Sequence, residues 1–187
     1  MYSIKEIFYS IQGEGYHTGR PAVVCRFSGC NLWSGKEEER SKSICKFCDT
    51  DFVGTGGING GVYRSSAELA RKISQAWPVQ KNKFTRPFVV CTGGEPLLQL
   101  DHALISDLHE EGFAIAVETN GTLCAPAGLD WICVSPKAGA PLRQAAGDEL
   151  KLVFPQAGAE PGKYARLPFG HFFLQPMDGP YREEAAR

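Results

Sequence analysis

The sequence predicts one α/β domain built mostly from parallel strands. Short apolar runs rich in Val, Ile and Phe alternate along the chain with segments of helical period, a pattern typical of parallel strands joined by crossover helices. The chain has 187 residues, enough for one domain with a buried core and too few for two. We therefore expect residues 1–187 to form a single domain, with an insertion at about residues 31–44.

Six strands and two helices follow from this pattern. Ser65 or Ser66 is expected to cap a helix that runs to about Trp77, and Asp101 a second helix that runs to about Glu111, because Ser and Asp accept hydrogen bonds from the first free backbone amides of a helix. The predicted strands are residues 22–27, 88–91, 113–118, 131–134, 150–154 and 171–174.

Residues 31–44 and 55–61 interrupt the alternation and are predicted to be loops of the same domain. The first segment is polar and contains the charged run 36–40, Lys-Glu-Glu-Glu-Arg, which is typical of solvated surface. The second is rich in glycine. Neither segment reads as a linker between domains.

Charge and hydropathy favour a small-molecule ligand. The formal net charge of -1 gives no electrostatic reason to expect direct binding to nucleic acid or to an anionic membrane. The sequence holds no apolar run long enough to span a bilayer, and its start lacks the basic region and cleavage site of a signal peptide. We therefore expect a cytoplasmic protein.

The seven cysteines are expected to stay reduced. Their number is odd and the sequence has no secretion signal, so a disulfide framework is not predicted. Cys25, Cys91 and Cys133 lie in or beside predicted strands and are interpreted as small core residues. The other cysteines are candidates for metal binding.

Five polar clusters follow directly after predicted strands, at residues 26–30, 92–95, 118–120, 135–137 and 175–178. The carboxyl ends of parallel strands lie at one edge of a sheet, where loops from different strands converge. The five clusters therefore predict one shared site.

Cys30, Cys45 and Cys48 form a C-x14-C-x2-C pattern whose last two cysteines are spaced to reach one metal centre. Three thiolates are one ligand short of a closed zinc site, but on an iron–sulfur cubane they leave one iron free for a further ligand. The cysteine spacing alone leaves a zinc site, a redox pair and a cluster open.

The surrounding residues resemble the radical S-adenosylmethionine (SAM) superfamily. Phe47 precedes the last cysteine, as an aromatic residue does in that superfamily, and residues 92–96, Thr-Gly-Gly-Glu-Pro, end the next predicted strand with its GGE motif. The chain differs from the superfamily's usual C-x3-C-x2-C pattern by its longer first interval. That longer interval is itself a mark of one family.

The resemblance is closest to the 7-carboxy-7-deazaguanine synthase family. Matching motifs occur in order along nearly the whole chain, so chance agreement is not a sufficient explanation. They are Gln-Gly-Glu-Gly at 12–15, Arg-Phe-Ser-Gly-Cys-Asn-Leu-Trp at 26–33, Phe-Cys-Asp-Thr-Asp-Phe at 47–52, Val-Glu-Thr-Asn-Gly at 117–121, Val-Ser-Pro-Lys at 134–137 and Leu-Gln-Pro-Met-Asp at 174–178.

This resemblance implies a partial (βα)6-like radical SAM barrel and three cofactors. A [4Fe-4S] cluster would be held by Cys30, Cys45 and Cys48, SAM would bind its free iron, and Mg²⁺ would bind at Thr50. The residues implied in SAM binding are Phe47, Cys48, Asp49, Gly93, Gly94, Glu95, Ser135, Pro136, Lys137, Gln175, Pro176, Met177 and Asp178.

The activity implied is conversion of 6-carboxy-5,6,7,8-tetrahydropterin to 7-carboxy-7-deazaguanine with loss of ammonia, a step of queuosine-type biosynthesis. Family analogy also implies a homodimer and an electron donor such as flavodoxin or ferredoxin. The chemistry is carried by the cluster and SAM, so no side chain is assigned a catalytic role. The residues implied in substrate binding are Ile11, Gln12, Gly13, Glu14, Arg26, Thr92, Glu118 and Asn120.

Members of this family continue past the last matching motif through a helix and a final strand, whereas this chain stops at Arg187. We therefore expect an incomplete last element, with residues 181–187 as the first turns of that helix. Two other classes of protein remain open. One is a radical SAM enzyme of another reaction class, such as an activase of a glycyl-radical protein, and the other is a non-catalytic zinc- or cluster-binding remnant.

Overall fold

A computed structural model describes residues 1–78 and 86–177 of the chain. The described part contains two α-helices, α1 (Ser66–Ala76) and α2 (His102–Glu110). Its strands are β1 (Tyr2–Ile11), β2 (Pro21–Phe27), β3 (Gly61–Tyr63), β4 (Phe88–Gly93), β5 (Ala114–Thr119), β6 (Trp131–Val134), β7 (Gly147–Phe154) and β8 (Phe169–Pro176).

All eight strands form one mixed sheet with the order β3-β1-β2-β4-β5-β6-β7-β8. The six strands from β2 to β8 in that order are parallel, and they are the six that the sequence predicts. β7 begins three residues before its predicted start, because the polar Asp148 and Glu149 conceal the strand pattern. Both have partners in the sheet: Asp148 accepts a hydrogen bond from the Ile132 amide at 2.7 Å, and Glu149 is buried.

The sequence prediction omitted the two antiparallel strands, β1 and β3. β1 pairs with β2 on one side and β3 on the other. Its register shifts between Ile4 and Glu6, so the buried Ile4 and Ile7 are an odd number of residues apart. Such a bulge breaks the two-residue alternation by which a half-buried strand is recognised, and β3 has only three residues.

Both predicted helices are confirmed. The Ser65 hydroxyl accepts a hydrogen bond from the Glu68 amide at 3.2 Å, and an Asp101 carboxylate oxygen accepts one from the Leu104 amide at 3.0 Å. Gly112 follows α2 with a φ of 84°, a conformation in which glycine is favoured. None of these helices or any other described helix is long and apolar enough to cross a membrane.

The helices cover one face of the sheet and leave the other face for the site. The main core joins the buried side chains of α1 and α2 to one face of β1, β2, β4 and β5. Cys25, Cys91 and Cys133 are buried, as expected for small core residues. The connections 120–130, 135–146 and 155–168 contain no α-helix and include the 3-10 turn Pro161–Lys163.

Residues 31–44 and 55–61 lie almost entirely outside the sheet, as predicted, with a 3-10 turn at Glu37–Lys42 in the first segment. Asp178 and the predicted helix at 181–187 lie outside the described residues.

Candidate active site

A cavity of about 620 Å³ lies between the carboxyl ends of the parallel strands and residues 29–52, the segment that holds Cys30, Cys45 and Cys48. We call residues 29–52 the cysteine segment. The structure brings most of the predicted site residues to the cavity wall. These are Glu14, Cys30, Cys45, Phe47, Cys48, Asp49, Thr50, Thr92, Gly93, Gly94, Glu118, Asn120, Ser135, Lys137, Gln175, Pro176 and Met177. The cavity volume is within the usual range for a site that holds small molecules.

The three cysteines of the C-x14-C-x2-C pattern face this cavity together. Cys45 is buried, and its thiol donates a hydrogen bond to the Cys48 sulfur. The Thr50 amide and hydroxyl also donate to that sulfur. These hydrogen bonds, led by the one from Cys45, outweigh the effect of burial and lower the pKa of Cys48, whereas the same bond and burial raise the pKa of Cys45.

Gly93 and Gly94 let the cysteine segment pack directly against the end of β4. A Cβ atom on Gly93 would collide with the backbone of Phe27, and one on Gly94 would collide with the backbone of Gly29. The Glu95 amide donates a hydrogen bond to the Gly29 carbonyl at 2.9 Å. This close backbone approach places Cys30, the next residue, at the rim of the cavity.

Arg40 ties the insertion to the rest of the cysteine segment. Its guanidinium lies 3.9 Å from the centre of the Trp33 ring and donates hydrogen bonds to the Cys48 carbonyl at 3.0 Å and the Lys46 carbonyl at 3.3 Å. Its ion pair with Glu37 has an N–O distance of 2.7 Å. The interpretation of residues 36–40 as solvated surface is therefore wrong for Arg40, whose side chain is only 24% exposed.

Five polar side chains form a hydrogen-bonded network at the cavity wall. Glu118 accepts hydrogen bonds from the Gln12 amide at 2.8 Å, from the Lys151 ammonium at 3.3 Å and from the Thr92 hydroxyl at 3.4 Å. Lys151 also pairs with Glu14 at 2.9 Å. The predicted substrate residues Gln12, Glu14, Thr92 and Glu118 thus form one network.

Lys151 joins this network although the sequence analysis did not single it out. It lies in the middle of β7, and its side chain is 7% exposed. Burial alone would lower the pKa of Lys151, but Glu118, Cys133 and Glu14 outweigh burial and raise the pKa above its usual value. A lysine inside the apolar run Leu-Lys-Leu-Val-Phe was the signal that could have found it.

No family model matches the chain. A 7-carboxy-7-deazaguanine synthase of Caulobacter vibrioides is 60% identical over 182 residues, which cover 97% of this chain and 85% of that protein. The chain belongs to the 7-carboxy-7-deazaguanine synthase family. The family member from Burkholderia multivorans is 56% identical with the same coverage. The crystal structure of QueE from Escherichia coli matches with a TM-score of 0.68 and 26% identity, over 98% of this chain and 86% of that one.

The 7-carboxy-7-deazaguanine synthase family uses a [4Fe-4S] cluster, SAM and Mg²⁺. Cys30, Cys45 and Cys48 line one cavity, and three cysteines are the ligand set that leaves one iron of such a cluster free for SAM. Among residues 1–78 and 86–177, no three His, Cys, Asp or Glu side chains are grouped closely enough to hold a single metal ion. The assignment of these three cysteines to the cluster stays a prediction.

Ser135 and Lys137 lie together in the part of the cavity that the family motifs assign to SAM. The Lys137 ammonium donates to the Ser135 carbonyl at 2.8 Å and hydroxyl at 2.7 Å, and it lies 5.9 Å from the centre of the Phe47 ring. Thr50 also faces the cavity, with its hydroxyl 3.5 Å from an Asp49 carboxylate oxygen. A hydroxyl and a carboxylate are oxygen ligands of the kind that Mg²⁺ accepts.

Glu95 lies behind the cavity wall. It is fully buried, and its carboxylate accepts hydrogen bonds from the Thr119 hydroxyl at 2.8 Å, the Asn120 amide at 2.8 Å and the Leu97 amide at 3.0 Å. Burial raises the pKa of Glu95, and these hydrogen bonds oppose that rise. In this structure Glu95 joins the ends of β4 and β5, and its contact with SAM stays a prediction.

Asn120 has partners in the cysteine segment as well as a place on the cavity wall. Its side-chain amide donates to Asn31 at 3.0 Å, and the Asn31 amide donates to the Thr122 hydroxyl at 2.7 Å. This chain of hydrogen bonds connects the residue after Cys30 to the loop that follows β5. The sequence analysis did not assign Asn31 or Thr122.

Several predicted site residues lie off the cavity wall. Arg26 forms an ion pair with Glu6 at 2.8 Å across β2 and β1, and Ile11 is 63% exposed. Gln12 reaches the wall only through Glu118, and Gly13 and Pro136 do not line it. The substrate or SAM contacts assigned to these residues, and to Asp178 outside the described residues, stay predictions.

Proposed function

We propose that this protein is a radical SAM lyase that converts 6-carboxy-5,6,7,8-tetrahydropterin to 7-carboxy-7-deazaguanine, with release of one ammonia. The observation that carries the proposal is the convergence of Cys30, Cys45 and Cys48 with five strand-end motifs on one cavity. Identity of 60% to a 7-carboxy-7-deazaguanine synthase supports the same conclusion.

When bound, a reduced [4Fe-4S] cluster and SAM supply the 5'-deoxyadenosyl radical that abstracts a hydrogen atom from the substrate. The protein holds the cluster through Cys30, Cys45 and Cys48. Thr50 stabilises the Cys48 thiolate through its amide and hydroxyl. Three cysteine ligands would leave one iron of the cluster free to bind SAM.

Ser135 and Lys137 would hold the polar groups of SAM, and Gly93 and Gly94, which line the same cavity, would contact it from the end of β4. Phe47 offers an aromatic ring beside Lys137 for the adenine. Gln175, Pro176 and Met177 line the cavity at the end of β8 and would complete this side of the site. Asp178 is included by sequence alone.

Glu14 and Glu118 would accept hydrogen bonds from the guanidine-like edge of the pterin, and Thr92 would support Glu118. Asn120 lies beside them on the wall. Thr50 would bind Mg²⁺ together with the substrate carboxylate. Arg26 is assigned to the same carboxylate, and reaching it requires the guanidinium to leave Glu6.

The apolar part of the wall would keep water from the reacting atoms. Trp33 and Phe52 are buried and pack edge to face with ring centres 5.6 Å apart. They face the same cavity as the cysteines. Exclusion of water protects a reactive radical from side reactions.

We further propose that the six parallel strands form a partial (βα)6-like barrel. Their number and order support this proposal. Family analogy supports a homodimer, a flavodoxin or ferredoxin as the electron donor, and a cytoplasmic role in queuosine-type biosynthesis.

The test is anaerobic reconstitution with iron and sulfide, followed by incubation with reductant, SAM, Mg²⁺ and the carboxypterin. We expect about four irons per chain, 5'-deoxyadenosine, and 7-carboxy-7-deazaguanine identified by mass spectrometry. A reconstituted cluster that cleaves SAM but gives no deazaguanine would refute the proposal. Cleavage that occurs only with a protein substrate would point to an activase, and bound zinc without a cluster to a metal-binding module.

A further inference from the structure

Lys151 is a buried cation on the cavity wall that none of the family motifs includes. It lies on β7 between Leu150 and Leu152, whose side chains are buried on the other face of the strand. Its side chain is 7% exposed. Burial of an unpaired ammonium costs free energy, so the partners of the Lys151 ammonium indicate its role.

Its partners are two carboxylates from distant parts of the chain. The ammonium lies 2.9 Å from a Glu14 oxygen, in the loop after β1, and 3.3 Å from a Glu118 oxygen, near the end of β5. Glu149, two residues earlier on β7, has separate partners, the Tyr16 amide and the Trp131 ring nitrogen, each at 3.2 Å. The Lys151 ammonium is therefore paired with the carboxylates of Glu14 and Glu118.

The two carboxylates would repel each other without this ammonium between them. Repulsion would drive the two carboxylates apart, so that their oxygens would no longer face one ligand together. The Lys151 ammonium lies within hydrogen-bond distance of both and holds them side by side on the cavity wall. A pair of carboxylate acceptors matches the several N–H donors on the guanidine-like edge of a pterin.

We propose that Lys151 is a positioning residue for the pterin: it holds the carboxylates of Glu14 and Glu118 side by side as a pair of hydrogen-bond acceptors and does not itself bind the substrate carboxylate. The proposal rests on the proposed function, because it assumes a pterin substrate. It assigns the recognition of the pterin ring to a three-residue unit, Glu14–Lys151–Glu118.

The test measures equilibrium binding of two pterins to the reconstituted holoenzyme with SAM and Mg²⁺ and without reductant, so that no turnover occurs. One ligand is the carboxypterin and the other is tetrahydropterin, which lacks the carboxylate. The variant is Lys151→Met. The matched control is Lys163→Met, which removes an exposed lysine paired with Glu160 at 2.7 Å.

We expect Lys151→Met to raise the dissociation constants of both pterins by the same factor, about tenfold or more, while Lys163→Met changes neither. Under turnover, KM should rise more than kcat falls. Loss of affinity for the carboxypterin alone would show direct contact with its carboxylate and overturn the proposal. Unchanged affinity for both would overturn it as well.

A purely structural role predicts a lower melting temperature with normal pterin affinity in the folded fraction, and that result also counts against the proposal. Lys151→Arg keeps a cation between the carboxylates and is expected to retain most of the affinity for both ligands. If the methionine variant does not fold, Lys151→Gln, which keeps a polar side chain but removes the charge, is measured with both ligands, and the same expected and contradicting outcomes apply. A wild-type holoenzyme that binds neither pterin would refute the proposed function itself.

Discussion

The two ends of the same sheet face differ in chemistry. At the carboxyl ends of the strands the side chains are polar and surround a cavity. At the amino ends they are aromatic and packed together. Two strands show the contrast between residues four apart, which point to the same face: Phe88 and Thr92 on β4, and His171 and Gln175 on β8. β6 begins with Trp131 at the aromatic end, and Ser135 follows its last residue at the polar end.

The aromatic end is closed by the loop between β1 and β2. Tyr16 stacks on Trp131 with ring centres 4.9 Å apart and lies 4.2 Å from the His171 ring centre. His17 lies 4.5 Å from Trp131 and 4.9 Å from Phe88. One end of the face thus provides a packed base, and the other is left open for ligands. We expect the two ends to be separable by mutation.

The largest effect is expected at the polar end. Cys45→Ala removes one of three ligands and the hydrogen bond that favours the Cys48 thiolate, so cluster binding and SAM cleavage should fall to background. Iron content and 5'-deoxyadenosine formation measure this loss. Cys124→Ala, at an exposed cysteine off the cavity wall, is the control and should retain both. Unchanged SAM cleavage in Cys45→Ala would remove Cys45 from the ligand set.

The next effect tests the aromatic end. Trp131→Ala removes a half-buried ring with contacts to Tyr16 and His17, and should lower the free energy of unfolding by about 2–3 kcal/mol. Urea denaturation measures that change. Ser135→Ala, directly after the end of the same strand, should leave unfolding nearly unchanged and reduce activity. If folded Trp131→Ala protein cannot cleave SAM, the aromatic end affects the active site, and the expectation that the two ends are separable by mutation is wrong.

A smaller effect is expected on the pH dependence of folding stability. Burial, followed by the nearby Arg20, lowers the pKa of His17 below its ordinary value of 6.5, and Asp148 only partly opposes this. The unfolded chain then binds a proton that the folded chain resists, so stability falls as pH drops below about 6.5. His17→Gln should lose less stability than the wild type between pH 7.5 and 5.5. Equal losses in urea midpoint would show that His17 is not responsible.

The smallest effect is expected at Thr50. Thr50→Ala removes one hydroxyl near Asp49, and should raise the Mg²⁺ concentration needed for half-maximal activity by about three- to tenfold. Thr50→Ser keeps the hydroxyl and should behave like the wild type. A magnesium titration of product formation compares them. The same magnesium requirement in all three proteins would place the metal elsewhere.

Sequence periodicity located the parallel strands because each is a short apolar run with turn residues on both sides. It failed at β1, where the bulge between Ile4 and Glu6 shifts the alternation, and at the start of β7, where Asp148 and Glu149 are polar but satisfied inside the sheet. In both places a tertiary partner compensates for a residue that breaks the local pattern.

The sequence also placed most of the site. A cysteine pattern and strand-end motifs are local signals, so they could be read along the chain. Arg40 and Lys151 could not be assigned in this way. The role of Arg40 depends on how the cysteine segment folds back to bring Trp33 and the Cys48 carbonyl to its guanidinium. The role of Lys151 depends on Glu14 and Glu118, which lie far from it along the chain.

The sequence by itself determined the six parallel strands, the two capped helices, and the residues whose chemistry suits a cluster, SAM and a pterin. Only the tertiary structure decided which of these residues share a wall, that Glu95 is engaged behind it, and that a buried lysine stands between two acidic side chains. The physical reason is that backbone periodicity and capping act over a few residues. The pairing of buried charges depends on which strands become neighbours.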